Sequence, residues 1–322
     1  MRISATSYSY IVSFCLGCLI LFLSSKAKAN FDLECYLKNN CENRWTSTTS
    51  NPSTGSQIKI NPSTVPLDVG FGIESLFYKD SVDLAVVHGT GRVGAAISPS
   101  NSEETFFGPP GYENFNDFLE RKGLAKKYPN QKYTLAGAMR LIEKNGSGLN
   151  AYSLKLGAMV KYNKLTGGVM PGIGLNGVLG AITFGGSVYK DQTQLNDPVT
   201  GGEPYQRFNY QVTTYNLGLF LSSLVIDYSH LTLSDPDATD TSQVDLFTVS
   251  LFVKKFILTA AKRTENSARP YYNYATDLIE NKQIKEDYFG GVQYSINKNF
   301  MIGGFYNYYL VQDLSFSLTI FF

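Results

Sequence analysis

Hydrophobic and polar residues alternate along much of this chain. Asp313 to Phe322 reads D-L-S-F-S-L-T-I-F-F, with Leu314, Phe316, Leu318, Ile320 and Phe322 on one face. Asp313, Ser315, Ser317 and Thr319 fall on the other. Successive strand side chains point to opposite faces, so the stretch predicts a strand with one apolar and one polar side. Leu154, Leu156, Ala158, Val160 and Tyr162 likewise oppose Lys155, Gly157, Met159 and Lys161, and Tyr215, Leu217, Leu219 and Leu221 oppose Thr214, Asn216 and Gly218. From Ala151 the pattern predicts strands at Ala151–Lys164, Val178–Lys190, Gln206–Leu221, Leu224–Thr232, Val244–Val253, Phe256–Thr264, Lys285–Ile296, Asn299–Tyr309 and Asp313–Phe322. Most reach the roughly 9–11 residues that a tilted strand needs to cross a bilayer.

The connections carry a second signal. Ser222-Ser223, Lys254-Lys255 and Asn297-Lys298 are tight, whereas Asp191–Tyr205, Leu233–Gln243 and Glu265–Ile284 are long and polar. Long and short links therefore alternate, as in a membrane barrel with short periplasmic turns and long external loops. A β-sandwich, the structural alternative for a strand-rich exported chain, has no reason to sort its links this way. Further candidate strands are Lys132–Glu143, Asp68–Tyr78 and Val82–Thr90. The expected fold is thus an all-β transmembrane antiparallel barrel of about 12 strands, alternatively about 10, since bacterial barrels favour even numbers. One connection, Gly91 to Gln131, is long but falls on the short-turn side of this count. It holds an amphipathic stretch, Tyr112 to Lys127, with Phe115, Phe118 and Leu119.

The start of the chain predicts export. Arg2 precedes an apolar run, Tyr10 to Leu23, and Ala27-Lys28-Ala29 offers a small-x-small cleavage site. Residues 1–29 are expected to be a signal peptide removed after Ala29, because the run is short of the ~20 residues of a spanning helix. Residues 30–67 are rich in Asn, Ser, Thr and Pro and read as a plug inside the barrel or a periplasmic segment, with the barrel over 68–322. Cys35 and Cys41 are the cysteines left after cleavage, and an oxidising compartment favours a disulfide between them. A metal reading lacks ligands, because the histidines are only His88 and His230. Aromatic residues make up 14% of the chain, mostly Tyr and Phe, which suits strands and interfacial girdles. Charged residues are 17% and the formal net charge is +1, so nothing points to nucleic acid.

A terminal strand ending on Phe322, with Phe316, Leu318 and Ile320 on its apolar face, resembles the closing strand and assembly signal of bacterial outer-membrane β-barrels. The resemblance implies residence in the outer membrane of a Gram-negative bacterium, with the lipid bilayer and the barrel-assembly machinery as partners. The lead segment Asn30–Pro66 and the glycine-rich stretch Gly167 to Gly186 are loosely similar to the long-chain fatty-acid transporter family. That family places an N-terminal plug ahead of a monomeric barrel; this chain departs from it in having fewer apparent strands and no recognisable hatch motif, and the likeness implies passage of small molecules, hydrophobic ones among them.

The candidate chemistry is sparse. Gly89-Thr90-Gly91-Arg92-Val93-Gly94 matches G-x-G-x-x-G, but Pro99 ends any helix at once, so a glycine-rich strand or bend is expected and no cofactor. Arg140, Lys155, Lys161, Asp227 and Lys262 are the candidates for a polar inner face that tunes passage. Asp227, His230 and Asp235 lie near the expected outer end of one strand, where a rim hydrolase would use His230 as base. Asp235, Asp237 and Asp240 lack the glycine and closing Glu of a calcium loop and read as a solvated turn. The leading expectation is a non-enzymatic barrel passing an unknown small solute. The alternatives are a filled barrel that binds partners through its three long loops, and the rim hydrolase.

Overall fold

A computed structural model describes residues 54–77, 82–100, 132–144, 151–164, 166–196, 204–221, 223–234, 241–265, 268–273, 278–283, 286–297, 299–307 and 314–322. The expected signal segment and Cys35 and Cys41 lie outside the described residues, as do Asp235, Asp237 and Asp240. The strands are β1 (Gly70–Phe77), β2 (Val82–Gly89), β3 (Val93–Ser100), β4 (Lys132–Lys144), β5 (Tyr152–Asn163), β6 (Val169–Leu179), β7 (Ile182–Asn196), β8 (Pro204–Leu221), β9 (Leu224–Ser234), β10 (Thr241–Val253), β11 (Phe256–Glu265), β12 (Ala268–Asn273), β13 (Leu278–Gln283), β14 (Glu286–Asn297), β15 (Phe300–Asn307) and β16 (Leu314–Phe321). All but β12 and β13, which form a separate hairpin, join in one closed antiparallel barrel. Among the described residues the barrel has fourteen strands.

The count of twelve, or ten, is therefore corrected to fourteen. The two additional strands are β3 and β6, and both are locally poor strand formers. β3 (VGAAISPS) contains Pro99 and small residues, and β6 (VMPGIGLNGVL) contains Pro171 and three glycines. Proline removes a ladder donor and glycine has no side chain to pack, so neither stretch advertises a strand. Their neighbours supply the pairing instead: β3 lies between β2 and β4, and β6 between β5 and β7. β3 also removes the anomaly of the connection after Gly91. The chain turns at 90–92, and the long link 101–131 falls at the same barrel end as 197–203, 235–240 and 266–285. The opposite end holds tight turns, with Gly91, Gly180 and Lys254 at φ of 91°, 59° and 54°. Positive φ favours glycine because it has no Cβ to clash.

The barrel closes where β1 meets β16, in register from Gly72↔Phe321 to Phe77↔Phe316. The Phe71 amide donates to the Phe322 carbonyl at 3.2 Å, and the Phe322 amide donates back at 2.8 Å. A closed sheet has no edge and pairs its backbone polar groups internally, which is what a strand-built protein needs in hydrocarbon. The outer face fits that solvent. Leu135, Met139, Val160, Ile173, Leu217, Phe247, Val292 and Phe316 all project outward and are exposed. Among the described residues no helix is long and apolar enough to cross a membrane.

The interior is occupied. Helix α1 (Thr54–Ile60) and a 3-10 turn (Pro62–Thr64) lie against the inner side of β1–β6. The Ser187 hydroxyl donates to the Ile60 carbonyl at 2.6 Å. The barrel wall is thinned where this stretch passes. A Cβ on Gly157 would strike the main chain of Pro62 and Ser63, and one on Gly174 would strike Asn61 and Pro62. Gly89 and Gly94 would strike residues 65–68 in the same way.

Candidate functional site in the barrel interior

The inner wall is layered. Ile58, Ile60, Val65 and Leu67 of the internal stretch pack in one cluster with inward-facing Val87, Ala96, Ala136, Ala138, Met159, Tyr189, Val212, Leu231, Val244, Leu246 and Ala261. Such a core is unusual for a water-filled channel, whose interior is polar. It follows from sequence parity: Val212 alternates with outward Tyr215 and Leu217, and Leu231 with outward Tyr228 and His230.

Nearer the long connections sits a buried ion cluster. Lys132 Nζ lies 3.0 Å and Lys161 Nζ 3.3 Å from the same oxygen, Asp191 Oδ2. Asp191 Oδ1 accepts from the Gln192 amide at 2.7 Å, and Lys161 Nζ stands 4.1 Å above the Tyr189 ring. Asn163 Nδ2 donates to the Gln192 carbonyl at 2.8 Å, and Gln192 Nε2 donates to Asn209 Oδ1 at 2.6 Å. These bonds fix both the ammonium groups and the carboxylate, as buried charge requires.

The five inner-face candidates do not stay together. Lys155 and Lys161 are buried and inward. Arg140 lies inward near the tight-turn end, 2.6 Å from Glu143. Asp227 is inward and buried, but near the tight turn that precedes β9 rather than at the outer end of that strand. Lys262 is on the outer face, which corrects its assignment to the lumen. It shares strand parity with exposed Phe256 and Leu258, and buried Arg263 takes the inward position instead. Its ammonium pairs with Glu286 at 2.8 Å and lies 5.7 Å from the Tyr288 ring.

His230 also faces outward. Its ring stacks on Tyr215 at 4.7 Å, and its Nδ1 lies 2.7 Å from Asp245 Oδ1, which also accepts from the Tyr228 hydroxyl at 2.6 Å. The expected grouping of His230 with Asp227 does not form, because neighbouring parity puts their side chains on opposite sides of the wall. Two aromatic polar groups, His230–Asp245 with Tyr215 and Tyr228 and the Lys262–Glu286 ion pair with Tyr288, thus lie on the outer face toward the long connections, where interfacial girdles sit. His88 is exposed near the tight-turn end, 2.9 Å from the Gly70 carbonyl. The G-x-G-x-x-G stretch is the β2–β3 hairpin, in which Gly89 and Gly94 make room for residues 65–68. Among the described residues no three His, Cys, Asp or Glu side chains converge on a possible metal position.

Sequence reasoning missed Lys132, Tyr189 and Asp191. Lys132 shares inward parity with Arg140, so that signal was present. The sequence pattern places Asp191 in the loop Asp191–Tyr205, but β7 continues to Asn196 and carries it into the wall.

No protein-family model and no curated protein matches the sequence. Solved structures of outer-membrane β-barrel proteins do match. Omp33 of Acinetobacter baumannii has 10% identity and a TM-score of 0.41, with 80% of this chain and 98% of that chain covered. The NanC porin has 7% identity and a TM-score of 0.37, with coverage of 78% and 98%. OmpF of Salmonella typhi, in complex with daunomycin, has 7% identity and a TM-score of 0.37, with coverage of 78% and 95%.

Proposed function

We propose that this protein is a non-enzymatic barrel of the bacterial outer membrane that passes small, largely apolar molecules, with residues 54–68 as an internal plug. The observation that carries this reading is the apolar core between Ile58, Ile60, Val65 and Leu67 and the inner wall. An open aqueous pore gains nothing from such a lining. A conduit for apolar solutes gains a surface that takes them out of water, at roughly 25 cal/mol per Å² of apolar area. The plug keeps that surface covered until a solute or a conformational shift displaces it.

The first experiment is conductance of the purified protein in a planar lipid bilayer, paired with uptake of a short alkanol into proteoliposomes. The reading expects no steady ion current from the intact protein and saturable alkanol uptake. Removal of residues 30–67 should open ion current. Large steady currents from the intact protein overturn the plugged conduit, and silence in both assays favours a filled barrel that acts through its long connections.

A further inference from the structure

We infer that the lower lumen holds a binding site for a primary ammonium group, centred on Asp227. The site follows from one register row across four strands: Thr183 of β7 faces Gly218 of β8, Gly218 faces Asp227 of β9, and Asp227 faces Thr248 of β10. All four point inward. The row continues to Ala261 of β11, so Gly218 and Ala261 flank the Asp227–Thr248 pair. A Cβ on Gly218 would collide with both Asp227 Oδ1 and Thr183 Oγ1, so the glycine lets these two oxygens approach each other against the wall.

The unusual feature is what these groups lack. Asp227 is 6% exposed and Thr248 is 4% exposed. Asp227 Oδ1 and Thr248 Oγ1 have no hydrogen-bond partner among the described residues. Asn176, inward on β6 and 1% exposed, is also unsatisfied at both side-chain polar atoms. A buried polar group without a partner costs free energy, and a buried carboxylate costs more. Elsewhere in the same lumen that demand is met: Asp191 has two lysines and a backbone amide. Asp227 has no ion-pair partner among the described residues, although Arg263 lies inward one row nearer the long connections.

Ligand chemistry follows from the acceptors. One carboxylate on β9 and hydroxyls on β7 and β10 offer acceptors along this row, with Gly218 of β8 leaving the gap between Thr183 and Asp227, and a primary ammonium carries three donors and one positive charge. Charge-assisted bonds to the carboxylate would supply most of the specificity. An alkali ion would seek a larger oxygen shell than this row provides. The apolar core above the row then suits the alkyl part of the same molecule. The assigned ligand class is therefore a small alkylammonium.

This inference rests on the reading of the barrel as a conduit, and equilibrium binding separates the two. Full-length protein in detergent is titrated with butylammonium chloride by calorimetry, with butanol and sodium chloride as parallel titrants. Saturable binding of butylammonium, reduced at least tenfold by Asp227→Asn and several-fold by Thr248→Val, is the expected result. The outer-face variant Asp245→Asn should bind as the parent does. Heat-modifiable gel migration checks that each variant is folded. Absence of saturable butylammonium binding to the parent, or equal binding by folded Asp227→Asn, overturns the site. Sodium competing at similar concentration also overturns it in favour of an alkali-ion site. Binding without alkanol uptake would sink the conduit and leave the site standing.

Discussion

The Asn61 side-chain amide donates to the main-chain carbonyl of Leu175 at 3.2 Å, joining the internal stretch to the wall across 114 residues of sequence. The same side chain accepts from the Ser63 amide at 3.1 Å and the Ser63 hydroxyl at 2.6 Å. One residue thus closes the turn at Pro62–Thr64 and pins it to β6. Gly157 and Gly174 leave the space in which this happens.

Enlarging that space-giving glycine should expel the stretch. Gly157→Ala puts a methyl group into the main chain of Pro62 and Ser63, which cannot move aside as a flexible side chain can. The expected outcome is ion current in planar bilayers well above that of the parent, and faster proteolysis within 54–68. Unchanged conductance together with unchanged protection would show that the seating of the internal stretch does not depend on this fit.

The buried ion cluster should be worth more than a surface pair. Asp191→Asn leaves two buried ammonium groups facing a neutral side chain, and breaking a buried pair costs about 3 kcal/mol or more. The urea midpoint for unfolding from detergent micelles should fall accordingly. Combining Asp191→Asn with Lys161→Met should cost less than the sum of the single changes, because the two share one interaction. Full additivity would mean that Lys161 and Asp191 do not interact.

The wall's parity can be read directly with lipid. The chain has one tryptophan, Trp45, so Trp45→Phe gives a clean background. In that background Lys262→Trp should be strongly quenched by brominated lipid, and Ala261→Trp should not. The reverse pattern would return Lys262 to the lumen.

Closure depends on the last residue of the seam. Deleting Phe322 removes the two backbone bonds exchanged with Phe71, a loss of about 2 kcal/mol at roughly 1 kcal/mol each. The temperature at which the folded band disappears on a gel should drop. An unchanged temperature would place the closing strength further along β16.

What the sequence decided by itself is local. Strand character and the side each residue faces follow from a period of two, so Leu314, Phe316, Lys155 and Lys161 were legible as outer and inner residues from their neighbours alone. The sorting of connections was legible too, because loop composition needs no partner to be seen. Lys262 was misplaced by weighing its charge above its parity with Phe256 and Leu258.

The tertiary structure decided what depends on distant partners. β3 and β6 are strands because β2, β4, β5 and β7 offer them ladders, and glycine and proline hide that in their own residues. The pairing of Asp191 with Lys132 joins positions 59 residues apart, and no local pattern encodes it. The occupied lumen rests on small residues in one part of the chain matching the backbone of another. Period and composition set the surface each segment offers, but closure alone determines which surfaces meet inside.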